Sequence, residues 1–178
     1  MKNYKKFIFP ISILIMIDQV VKIFIKKYLF DIQVVFIEGI IGFYPKINRK
    51  QSWAGNYISI FENPIVVNIL IIFCIFIIMT GYQFYRSKCK KESLPARLIF
   101  IFAMAGCLCS IIDKIFWGGS LDFLVIPGLF IFDLKDCYLT VAEILFVYMG
   151  IKYNKQINVK EYVKFIYSSI RKQQKDAI

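Results

Sequence analysis

Four apolar runs, over residues 7–25, 64–84, 98–117 and 129–151, leave this 178-residue chain little freedom in what it can fold into. At about 1.5 Å per residue, a run of some 19 residues reaches roughly 28 Å, enough to cross the hydrocarbon core of a bilayer. Two of these runs carry acids. Asp113 lies late in the third, and Asp136 lies early in the fourth. A carboxylate at membrane depth is costly and is retained for a purpose. Their positions predict two acids at matching depth on consecutive helices, the arrangement for acid–base work on a peptide, with a pair of snorkelling acids at helix ends as the alternative. Two adjacent carboxylates resist double ionisation, so one holds a proton while the other serves as base.

An apolar share of 58% and a mean hydropathy of +0.61 are too high for a water-soluble globule of this length. The expected fold class is an all-α membrane protein. It has four transmembrane helices and a small outer-leaflet β/loop subdomain between helices one and two. The chain forms a single integral domain (1–178). Residues 26–63 are the outer loop, with mixed polarity and aromatics suited to short strands at headgroup level. Residues 86–97 are a cytoplasmic loop, 118–128 a turn-rich connector, and 152–178 a basic cytoplasmic tail. No small-x-small cleavage site follows the first run, so it reads as a retained helix.

The net charge of +11 would suggest nucleic acid in a soluble protein, but here its placement sets orientation. Three, five and seven basic residues lie in the amino end, the 86–97 segment and the tail. In a four-span topology these fall on one side, so both termini are expected in the cytoplasm and both acids in the outer leaflet. No nucleic-acid partner is expected.

There is no His, which excludes Ser-His-Asp and Cys-His catalysis and the HExxH zinc site. Five cysteines with no loop pairing argue against a disulfide framework. The Cys107–Cys109 pair, with Cys137 beside Asp136, raises a membrane thiol oxidoreductase as the rival class. That chemistry needs an accessible thiolate, whereas this CxC falls within an apolar helix. No cofactor or metal is expected.

Asp18, Gln19 and Lys22 place an acid and a base one helical turn apart on the first span, an internal ion pair able to support the outer-leaflet site. Glu143, two turns after Asp136 on the same face, is read as a buried, protonated or paired acid.

Several short segments resemble the lipoprotein signal peptidases, four-span aspartic endopeptidases of bacteria. Asp18-Gln19-Val20-Val21-Lys22 matches DQxxK. The segment from Asn48 to Trp53 sits where that family has Asn-x-Gly-x-x-Phe. Ser110 to Lys114 resembles NxxDR, Leu121-Asp122-Phe123 resembles VDF, and residues 132–141 resemble FNxAD…TV. The resemblance implies Asp113 and Asp136 as the catalytic dyad. Asp18, Gln19, Lys22, Asn48, Trp53, Ser110, Lys114, Asp122 and Asp133 then support it or contact substrate. It also implies a monomer of the bacterial cytoplasmic (inner) membrane, acting on lipid-modified prolipoproteins amid membrane lipid. Ser110, Lys114 and Asp133 depart from Asn, Arg and Asn, and the Asn48 segment lacks its Gly. A catalytically altered paralogue that binds the same peptides is the alternative. On this reading Asp133→Asn restores the motif and retains activity.

Overall fold

The computed structural model describes residues 4–49, 59–89, 92–153 and 159–176. In order these form α1 (Lys5–Tyr28), β1 (Val34–Ile37), β2 (Ile41–Asn48), a 3-10 turn (Ser59–Glu62), α2 (Pro64–Lys88) and α3 (Leu94–Ile112). A π turn (Asp113–Trp117), β3 (Ser120–Ile126), β4 (Phe130–Phe132), α4 (Leu134–Tyr153) and α5 (Val159–Asp176) follow.

Local chemistry sets the helix starts. The Asn63 side chain accepts from the Ile65 N–H at 2.9 Å and Pro64 opens α2. Ser93 caps α3 ahead of Pro95. Both follow the preference for a short polar cap before a proline whose missing N–H is no loss.

Among the described residues, three helices are long and apolar enough to cross a membrane: Lys5–Tyr28, Pro64–Lys88 and Leu94–Trp117, the last including the π turn. Large side chains such as Ile69, Ile72, Phe73 and Phe76 face outward from α2, as suits a lipid-facing surface. The 20-residue α4 carries Lys135, Asp136, Glu143 and Lys152. It packs along α3, where Gly106 removes a side chain that would collide with Leu139. A Cβ at Gly106 would stand 2.6 Å from Leu139 Cδ2.

Phe7, Tyr82 and Phe100 tie α1, α2 and α3 together, with ring centroids 4.7 to 5.4 Å apart. Such tilted and edge-on contacts add to the area they bury. Glu92 accepts from Lys6 and the Tyr82 hydroxyl beside this cluster, at the ends of α1 and α3 remote from Asp113.

The four strands form one antiparallel sheet in the order β1-β2-β3-β4. This corrects the sequence-based layout on two points. The 118–128 segment is not a simple connector, because most of it is β3, an inner strand. The β material also does not lie only between the first two helices, since β3 and β4 lie between α3 and α4. The residue pattern explains the strand. Leu121 and Phe123 bury into a core with Ile25, while Ser120 and Asp122 enter a polar cluster. The start of the fourth run, Leu129 to Phe132, belongs to a turn and β4 rather than to a helix. Register pairs Asn48 with Ser120 and Lys46 with Asp122, fastening the loop after α1 to the segment after α3. A Cβ at Gly119 would fall 2.5 Å from the Asn48 carbonyl oxygen, so glycine permits this close approach.

Candidate active site

Three buried acids and a buried lysine meet where α1, α3 and α4 converge beneath the sheet. Asp18, Lys22, Asp113 and Asp133 are each 0% exposed. Lys22 reaches Asp18 one turn away at 2.8 Å, Asp113 at 2.6 Å and Asp133 at 2.8 Å. The expected ion pair on α1 is therefore present, and its ammonium also binds acids from two other elements. Buried charges are tolerable only when paired and hydrogen-bonded in this way.

Gln19 donates to Asp18 at 3.0 Å and to Asp113 at 3.1 Å, and its own oxygen accepts from the Trp117 indole N–H at 3.1 Å. The widened turn at Asp113–Trp117 departs from straight α geometry where α3 hands over to β3. Such single π turns recur at functional positions. It presents Asp113 to Lys22 while Trp117 holds Gln19.

Asp133 and Asp136 close the N-terminus of α4 reciprocally. The Asp136 N–H donates to Asp133 Oδ1 at 3.2 Å, and the Asp133 N–H donates to Asp136 Oδ2 at 3.1 Å. This is a capping box with aspartates at both positions. It fixes Asp136 by a backbone contact while leaving its side chain 40% exposed, against 0% for Asp113.

Lys135 was not singled out from the sequence, although it stands at the Ala of FNxAD. Its ammonium touches nearly every acid of the cluster: Asp133 at 2.5 Å, Asp113 at 3.4 Å, Asp122 at 3.7 Å and Asp136 at 3.8 Å. It also donates to Ser120 Oγ at 2.5 Å. Oxygens of Asp122, Asp133 and Asp136 lie within 4.8 Å of one another, a spacing that could hold a cation. The Lys135 ammonium supplies positive charge to all three.

Asp122 accepts from Ser120 at 2.6 Å and from Asn48 at 3.3 Å. Burial raises its proton affinity above that of an ordinary carboxyl, and Asp133 adds to this. Lys135 and the two hydrogen bonds oppose the shift. Lys114 donates to Ser110 Oγ at 2.9 Å, so Ser110 engages this lysine one turn away.

The structure thus gathers Asp18, Gln19, Lys22, Asn48, Asp113, Asp122, Asp133 and Asp136, with Ser110 and Lys114 paired alongside. Trp53 lies outside the described residues. Glu143 does not fit its expected role: it is exposed on α4. Its face points away from the α3 contact, so helical spacing from Asp136 was a poor guide to burial. Cys107 and Cys109 are free and buried in α3, which leaves no exposed thiolate pair there for redox chemistry.

The model of the signal peptidase II family matches residues 11–152. A lipoprotein signal peptidase of Fusobacterium nucleatum subsp. nucleatum is 28% identical over 159 residues, spanning 86% of this chain and 91% of that protein. Two solved bacterial membrane enzymes, at 2.3 and 1.9 Å resolution, share the fold at 19% identity with TM-scores of 0.64 and 0.62. They cover 88% and 84% of this chain, and the matches take in 93% and 94% of theirs.

Proposed function

The chain belongs to the signal peptidase II family, and on that premise we propose that it is an aspartic endopeptidase with Asp113 and Asp136 as its dyad. It is a bacterial membrane protease that cleaves lipoprotein signal peptides. Cleavage falls just before the lipid-modified cysteine of the prolipoprotein, with the apolar signal peptide lying between the helices. One observation supports the dyad above all: Asp113 and Asp136, 23 positions apart in sequence, approach the same Lys135 ammonium at 3.4 and 3.8 Å.

The surroundings divide the roles. Asp113 has two ammonium groups within 3.4 Å and accepts from Gln19, so it is the carboxylate. Asp136 is farther from positive charge, so it carries the shared proton, and its greater exposure lets it meet the substrate. A water between them gives a proton to Asp113 as its oxygen bonds to the scissile carbonyl carbon. Asp136 passes its proton to the carbonyl oxygen. Collapse of the gem-diol breaks the C–N bond. The leaving nitrogen takes the proton from Asp113, and the diol hydroxyl returns one to Asp136.

In this reading α4 is a fourth span and both termini are cytoplasmic. The monomer works within membrane lipid. The direct test follows the mobility of a lipid-modified prolipoprotein incubated with the protein in detergent. Conversion to the shorter lipoprotein is expected. Binding of the peptide without conversion would overturn the peptidase reading and favour the altered paralogue.

Topology has its own check. Cys89, just past α2, should react with a membrane-impermeant thiol reagent only after the cytoplasmic face is opened. Labelling of Cys89 in intact cells would invert the orientation and place both acids in the wrong leaflet.

A further inference from the structure

The family match ends at residue 152, and the chain then adds α5 (Val159–Asp176). Its sequence is two-faced. Val163 and Ile166 share one helical face, and Lys160, Lys164 and Arg171 recur along its flank. Five of its 18 residues are basic and two are acidic.

The structure shows where this helix attaches. Tyr162 and Phe165 stack on Phe84 with ring centroids 5.4 and 5.5 Å away. The Tyr162 and Thr80 hydroxyls are 2.7 Å apart, and Lys88 pairs with Glu161 at 2.6 Å. All three partners lie in the last turns of α2, where a membrane-length helix leaves the bilayer beside the basic 86–97 segment. The contact with α2 does not use up the apolar face: Val163 remains 60% and Tyr167 70% exposed. Lys164 and Arg171 are exposed as well.

We propose that α5 lies in the membrane interface. Val163 and Tyr167 enter the boundary between headgroups and acyl chains, and the basic face binds anionic lipid headgroups. Three features favour this occupant. The attachment point fixes the depth of α5 at the end of a span, the uncovered side chains are amphipathic or apolar, and the remaining charge is positive. A soluble protein partner would require none of that placement.

The test is amide hydrogen exchange on the full chain in vesicles of neutral phosphatidylcholine and in vesicles mixed with phosphatidylglycerol. Exchange in α5 should slow in the anionic vesicles, and added salt should reverse this, while α2 and α3 stay unchanged. Lys164→Gln/Arg171→Gln should lose most of the lipid-charge dependence. Equal exchange in both lipids would overturn the proposal. So would protection that follows protein density in the vesicle rather than lipid charge, since that marks a second copy as the occupant. The salt reversal is read on the unmodified chain, so the test does not depend on the variant keeping its helix.

Discussion

Asp113→Asn and Asp136→Asn are each expected to lower the rate of prolipoprotein cleavage by about 10²–10⁴-fold, the contribution of a positioned acid or base. Insertion and fold should survive both changes, because the amide keeps the shape of the carboxyl. The two substitutions should still differ in stability. Asp113 lies against Lys22 and Lys135, so its amide leaves two buried ammonium groups short of an anion. Asp136 is 40% exposed and carries less of that burden. Loss of the anion at Asp113 should therefore lower the unfolding temperature in detergent as well as the rate, whereas Asp136→Asn should affect the rate alone. Full cleavage by either variant would rule out the dyad.

The second large effect concerns Asp133 and Lys135. From motif likeness alone, Asp133→Asn looks harmless. The structure argues otherwise, since Asp133 is fully buried between Lys135 at 2.5 Å and Lys22 at 2.8 Å. Removing one partner of a buried pair costs about 3–5 kcal/mol, whereas replacing both is close to neutral. Asp133→Asn and Lys135→Ala should each depress thermal stability and cleavage. The double variant should recover most of both, giving a large coupling energy in the cycle. The pair then stands in for an uncharged Asn and Ala at the same positions. A stable, active Asp133→Asn protein would show that the two charges act independently.

Much of this was legible in the chain. Apolar runs of bilayer length gave α1, α2 and α3 to within a few residues, and the cost of acids at membrane depth drew attention to Asp113 and Asp136. The i, i+4 spacing of Asp18 and Lys22 was enough to predict their contact. Other features depend on partners distant in sequence. Nothing in the sequence marks Lys135 out, because its contacts with Asp113 and Asp122 depend on segments far away in the chain. β3 was too short and too rich in glycine at its entry to stand out, although the alternation of Ser120, Leu121, Asp122 and Phe123 carried the signal. Glu143 failed because a helical repeat assigns a face but not what covers it. α5 was read only as a basic tail because its positive charge masked its apolar spacing.

The distribution of charge among the helices bears on how the protein enters the membrane in the first place. The first and third apolar runs each bring their own counter-ion: Asp18 with Lys22, and Asp113 with Lys114. A lone charge at the centre of an inserting helix costs about 2.5–3.5 kcal/mol on translocon scales. As the ribosome delivers these two spans, each can partition into lipid as a neutral unit. Lys22 then keeps Asp18 and adds Asp113 and Asp133 as the later segments arrive. Neither of these two spans has to wait for a later helix to neutralise it.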